Sequence, residues 1–276
     1  MVAEVLVRTE WLAERLGQPG LVVAEVDEIP DLYDEGHIPG AVKLHWRDDL
    51  QDPVRRDIVD TSTFERLLGG RGIENDTTVV LYGDKNNWFA AYAYWYLKLY
   101  GHEDVRILDG GRQKWIDESR ELTAEVPSPE PVPYTARGVD QSIRTRRDDV
   151  LARLGDQGRA LVDVRSPQEY SGELMAPPGY EQEGASRTGH IPTAQSIPWA
   201  EAVRDDGTFK PLDELRALYG AKGVTPDKDI VAYCRIGERS AHTWFVLREL
   251  LGYPSVKNYD GSWTEWGNLV DVPIER

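Results

Sequence analysis

Cys234 is the sole cysteine among 276 residues, and Arg235, Ile236, Gly237, Glu238, Arg239 and Ser240 follow it. A free thiol has a pKa of about 8.5, so little of it is thiolate at neutral pH. Bringing it to about 6.5 takes roughly 2.7 kcal/mol of preferential stabilisation of the anion. A helix terminus supplies roughly 0.3–1 kcal/mol when exposed and about 2 kcal/mol when partly buried. The remainder must come from converging loop amides and from the guanidinium groups of Arg235 and Arg239. Gly237 lets the loop turn tightly, and Ser240 is suited to cap a helix opening there. A lone cysteine ending a buried strand is often only a small core residue. Two arginines within five positions would be difficult to accommodate beside an inert one, so the pattern points to a nucleophilic thiol.

The elements that must position this loop are legible in the apolar pattern. Short apolar runs at 21–26, 79–82, 105–108, 160–164, 230–233 and 256–259 read as buried strands. Helices are expected at 9–16, 88–100, 145–154, 212–219 and 240–251, with Thr9 and Thr145 placed to N-cap theirs. Continuous apolar strands alternating with helices predict an α/β fold with parallel sheets covered on both faces. Ligands collect at the carboxyl ends of such strands, which is where Cys234 falls.

The chain also repeats itself. Gly36-His37-Ile38-Pro39 recurs as Gly189-His190-Ile191-Pro192, and 79–115 aligns on 230–266 without gaps. Val7-Arg8-Thr9 similarly resembles Ile143-Arg144-Thr145. A period near 150 is too long for a solenoid and fits a duplicated domain. The proline-alternating stretch 126–133 cannot be helical and reads as a semi-rigid linker crossing a surface. These signs set a first domain at 18–125, a linker at 126–142 and a second domain at 154–274, with an insertion around 172–188. The first half has Gly83-Asp84-Lys85-Asn86-Asn87 where the second has its thiol loop, so one half reads as catalytic and the other as degenerate.

Composition narrows the partners. The net charge of −16 repels nucleic acid and anionic lipid, so neither is expected as a partner, and an anionic substrate needs a local basic pocket. One cysteine excludes an intrachain disulfide and a multi-cysteine metal site. The start carries acidic residues without an apolar stretch of signal-peptide length, so a cytoplasmic location is expected. Five histidines form no metal pattern; His37 and His190 read as parts of a shared turn, and His242 as packing.

Cys-Arg-x-Gly-x-Arg-Ser at 234–240, the paired Gly-His-Ile-Pro motifs and the closing Asp260-Gly-Ser-x-x-Glu-Trp266 together resemble the tandem-domain rhodaneses, the thiosulfate sulfurtransferases. The resemblance covers nearly the whole chain. It implies two rhodanese domains, each a parallel sheet flanked by helices, the first inactive and the second active. It implies a persulfide on Cys234, substrate binding by Arg235, Ile236, Gly237, Glu238 and Arg239, and neither metal nor organic cofactor. Thiosulfate would be the donor, and cyanide or a thiol the acceptor; a monomer is the weaker preference over an oligomer. Many members carry Asp-x-Arg-x-x-x-Arg-Tyr after the first strand of the active domain. Here Asp163, Arg165 and Tyr170 match, but Glu169 replaces the second arginine, so the candidate substrate role rests on Arg165 alone.

Three other readings stay open. A 3-mercaptopyruvate sulfurtransferase would use the same scaffold, usually with a less charged loop. A cysteine phosphatase needs Cys-x5-Arg, whereas 234–239 is Cys-x4-Arg. A non-catalytic binding module would use the fold without its chemistry.

Overall fold

The structure, a computed structural model, describes residues 5–180 and 184–276. Among the described residues ten strands form two five-stranded sheets. In the first, β1 (Leu6–Val7), β2 (Leu21–Glu25), β3 (Val42–Lys43), β4 (Thr78–Tyr82) and β5 (Val105–Leu108) run in the order β1-β5-β4-β2-β3. In the second, β6 (Arg144–Thr145), β7 (Arg159–Asp163), β8 (Gln195–Ser196), β9 (Asp229–Tyr233) and β10 (Val256–Tyr259) repeat that order as β6-β10-β9-β7-β8. Every pairing within the sheets is parallel.

The first half contributes helices α1 (Thr9–Ala13), α2 (Leu32–Glu35), α3 (Thr61–Gly70), α4 (Trp88–Leu99) and α5 (Gly111–Asp117). The second contributes α6 (Arg147–Ala152), α7 (Pro167–Ser171), α8 (Leu212–Gly220), α9 (Glu238–Phe245) and α10 (Ser262–Trp266). The parallel sheets flanked by helices follow the sequence expectation.

The units divide after Asp140: the first takes the chain up to that residue together with Val203–Phe209, and the second takes Gln141–Ala202 and Lys210–Arg276. Both sheets recruit an edge strand, β1 and β6, from ahead of positions 18 and 154, where the domains were expected to start. The stretch after α5 belongs to the first unit. There Tyr134 is buried against Phe64 at a ring distance of 6.0 Å, so this segment supplies core as well as crossing a surface.

Two local expectations need correction. Neither threonine caps its helix: the caps are Arg8 and Arg146, and the Thr145 hydroxyl donates instead to Asp149 at 2.8 Å. Sheet register also shifts the repeat at its start. Val7 pairs with Leu108 and Thr145 with Tyr259, so Val7 corresponds to Thr145 rather than to Ile143.

The Gly-His-Ile-Pro turns do the same job in each unit. His37 stacks on Tyr33 at 3.8 Å and bonds its carbonyl, as His190 does with Tyr170 at 3.6 Å. The next amide, of Ile38 or Ile191, donates to the hydroxyl of a central-strand tyrosine, Tyr82 or Tyr233. Both histidines therefore lock a turn to the sheet, and the apolar side chains of the strands close the core beneath.

Candidate active site

β9 ends at Tyr233, and the chain leaves the sheet at Cys234. Its backbone is pinned on both sides: the Cys234 N–H donates to Ser262 Oγ at 3.0 Å, and its carbonyl accepts from the Trp263 N–H at 3.0 Å. The Arg235 carbonyl accepts from Thr264 at 2.9 Å. The loop then bends back at Gly237, whose φ of +103° is left-handed; a Cβ there would lie 2.8 Å from the Asp260 Cα. This turn aims the Gly237 N–H at Cys234 Sγ, 3.1 Å away. Two donors hold the Gly237 carbonyl, Asn258 Nδ2 at 2.9 Å and the Ala241 amide at 3.2 Å, and Ser240 Oγ lies 3.1 Å from it.

The helix opens two residues earlier than expected, at Glu238, with Gly237 as its N-cap. Ser240 therefore lies inside the first turn, where its hydroxyl bridges to Asn258 Oδ1 at 2.6 Å rather than capping the helix. The helix also stops sooner: after Phe245 it widens into a π-turn over Val246–Leu250, closed by the Leu251 amide on the Val246 carbonyl at 2.9 Å.

The two arginines are placed differently. Arg239 is buried and grips Glu169 with both terminal nitrogens, Nη1 to Oε2 at 3.0 Å and Nη2 to Oε1 at 3.1 Å. Glu169 is also the third helical residue of a capping box, accepting from the Ser166 amide at 3.1 Å. Burial would raise the carboxyl of Glu169, but Arg239 outweighs it and holds the group below its usual range. Arg235, 6% exposed, donates to the Tyr180 carbonyl at 3.1 Å and lies 5.0 Å from that ring's centre. Among the described residues no carboxylate pairs with it. Ile236, 4% exposed, completes the loop as a buried apolar residue.

Arg165 is fully committed to structure at two of its nitrogens. Nε and Nη2 hold Asp163, the latter at 2.6 Å, and Nη2 also donates to the Gly189 carbonyl at 2.7 Å. Its guanidinium lies 4.6 Å from the Trp263 ring. His242 packs edge-on to Trp199 at 5.2 Å, and burial pushes it down to about 3, so it is neutral at physiological pH.

The thiol departs from the expectation of a depressed pKa. Cys234 is fully buried, and burial together with the neighbouring Glu238 carboxylate raises it above the ordinary thiol value. Arg239 and the Ser240 and Gly237 amides pull the other way without prevailing. The physical reason is visible in the geometry: Glu169 neutralises Arg239, and Glu238 Oε2 stands 3.4 Å from Sγ.

Sequence reading missed the supports of the loop. Ser262 and Asn258 do not look reactive, although 260–262 sits in the repeated Asp-Gly motif and marked the place. It also missed Tyr180. Tyr180 lies in the insertion around 172–188 and reaches the thiol loop through Arg235; residues 181–183 of the insertion lie outside the described residues.

Comparison with known proteins places this site in a family. The rhodanese-like domain model matches twice, over residues 8–118 and 146–269, and the chain belongs to that family. A protein of Thermus thermophilus named sulfur carrier protein TtuD is 62% identical over 276 residues, covering 99% of this chain and 97% of its own. A Saccharopolyspora erythraea protein provisionally named a thiosulfate sulfurtransferase is 59% identical over 273 residues, covering 99% and 96%. Among solved structures, wild-type EanB superposes with a TM-score of 0.85 at 27% identity, over 98% of this chain and 69% of that one. A variant of it, captured as a cysteine persulfide with ergothioneine, gives 0.84 at 27% identity, over 98% and 70%.

Proposed function

We propose that this protein is a thiosulfate sulfurtransferase, moving sulfane sulfur to a thiophilic acceptor through a persulfide on Cys234. The observation that carries the reading is the seating of Sγ 3.1 Å from the Gly237 amide, at the end of β9 and at the head of a loop that carries Arg235 and Arg239. The thiolate attacks the outer sulfur of thiosulfate and sulfite leaves; the acceptor then takes the terminal sulfur and restores the thiolate. Loop amides stabilise the persulfide anion, and Arg235 meets the sulfonate end. Arg239 acts as a positioning residue, tying the first turn of α9 to α7 through Glu169. Names of full-length relatives, provisional thiosulfate sulfurtransferase and sulfur carrier, support sulfur handling by a persulfide. The sulfur-carrier name favours a thiol or protein acceptor alongside cyanide.

The test compares kcat/KM for thiosulfate and 3-mercaptopyruvate, followed as sulfite or pyruvate release. Thiosulfate is expected to lead, because a divalent donor suits a loop that carries two arginines. A tenfold preference for mercaptopyruvate would overturn the donor assignment. Aryl phosphate hydrolysis abolished by Cys234→Ala would overturn the reaction class.

A further inference from the structure

Within the sulfurtransferase reading, on which this step rests, we propose that Glu238 is the proton acceptor for Cys234 and returns the proton at the end of each cycle. Glu238 is 3% exposed, and its Oε2 lies 3.4 Å from Sγ. Among the described residues it is the one acceptor within hydrogen-bond reach of the thiol. A buried nucleophile that must lose a proton needs a destination for it, since solvent does not reach Sγ.

Charge argues for the same assignment. In this assignment the Cys234–Glu238 pair carries a single negative charge at rest, on the carboxylate. When thiosulfate reacts, Cys234–SH, Glu238–COO⁻ and S–SO₃²⁻ become Cys234–S–S⁻, Glu238–COOH and SO₃²⁻. The new S–S bond forms as the donor's S–S bond breaks, and the departing sulfite takes that electron pair. The cradle still holds one anion, now the persulfide. In the second step the acceptor nucleophile takes the terminal sulfur, and Glu238 gives its proton back to the thiolate. The protein's own groups in the enclosed loop never carry two anions at once.

Charged groups facing the pair leave this balance intact. Arg239 Nε lies 3.8 Å from Glu238 Oε1, with Glu169 of α7 neutralising the same guanidinium. Arg235 lies in the loop. Asp260, packed on Gly237, is bound to Arg144 of β6 at 2.8 Å. The duplicated half supplies a control: Gly83 stands where Cys234 does, and Asn87 where Glu238 does. There Asn87 accepts from the Gly83 amide at 3.0 Å and donates to the Leu108 carbonyl at 2.7 Å, a purely structural use. The carboxylate is present only where the thiol is.

The pH dependence of two single-turnover reactions of wild type and Glu238→Gln tests this. One is alkylation of Cys234 by neutral iodoacetamide, and the other is sulfite release from thiosulfate. If the proton moves within the pair, the reactive tautomer has the same net protonation as the resting one. The wild-type rates should then stay within about twofold between about pH 6 and pH 8, whereas the variant's should climb about tenfold per pH unit towards its thiol pKa. Parallel profiles in the two proteins, flat or rising, would overturn the assignment. If the variant does not fold, the wild-type profile decides alone, and a tenfold rise per unit contradicts the proposal. Flat alkylation in wild type without sulfite release at any pH would leave Glu238 its role and sink the thiosulfate reading instead.

Discussion

Arg235 and Arg239 read alike in the sequence and do different things in the structure. The carboxylate of Glu169 occupies the Arg239 fork, whereas Arg235 donates to the Tyr180 carbonyl; in the proposed reaction Arg235 is the cation that meets the donor. Arg235→Ala is therefore expected to raise KM for thiosulfate by about tenfold or more, the order of one charge-assisted hydrogen bond, with a smaller effect on kcat. An unchanged KM would exclude that contact. Glu169→Gln leaves a buried guanidinium without its charge partner and should cost about 3–5 kcal/mol in urea unfolding at pH 7. Because the folded-state pKa of Glu169 is lowered, its contribution is present above the unfolded value of about 4.3 and is lost as pH falls through the folded one. The difference between wild type and variant should accordingly shrink as unfolding is repeated at progressively more acid pH.

The loop between β9 and α9 depends on one left-handed residue. Gly237→Ala places a Cβ 2.8 Å from the Asp260 backbone at a φ of +103°, so a loss of about 1–3 kcal/mol and a larger loss of persulfide formation are expected. Unfolding and single-turnover sulfite release, measured together, separate the two effects.

The duplicated strand ends carry a second contrast. β7 ends at Asp163 and is followed by Arg165, whereas the matching positions at the end of β2 are two acids, Glu25 and Asp27. Arg112, at the place Trp263 holds in the other unit, supplies the missing cation to Glu25 at 2.6 Å. Asp27 gains no such partner, and burial, with the Glu25 charge next, pushes it up to about 9. It keeps its proton in the folded protein while the unfolded chain has lost it, so stability falls as pH rises from about 4 towards 9. Asp27→Asn should flatten that decline and raise Tm by several degrees at pH 8; melts at pH 5 and pH 8 check it.

The main elements were legible because buried parallel strands are short apolar runs: 105–108 and 256–259 coincide with β5 and β10. The ends of helices were not. Thr9 and Thr145 suggested caps, yet Thr9 is already the first helical residue of α1, and the backbone of Thr145 is drawn into the edge strand β6, where tertiary pairing outweighs local propensity. The thiol's location was legible from the strand end and the glycine. Its ionisation was not, since that depends on which carboxylates fold in beside it, Glu238 at four residues and Glu169 at sixty-five.

Across the whole protein the net charge of −16 opposes the approach of a dianion. Raising ionic strength from about 0.01 to 0.15 M shortens the screening length from about 30 to about 8 Å. kcat/KM for thiosulfate should rise over that range, and a fall would mean that a basic surface steers the donor. Among the described residues no helix is long and apolar enough to cross a membrane. The duplication leaves one thiol for two sheets, so sulfur loading should saturate at one atom per chain. Intact-mass spectrometry of fully reduced protein after thiosulfate treatment tests this most directly. The account predicts a gain of one sulfur atom that is absent in Cys234→Ser and discharged by cyanide; an unaltered mass, or the same gain in the serine variant, would contradict it.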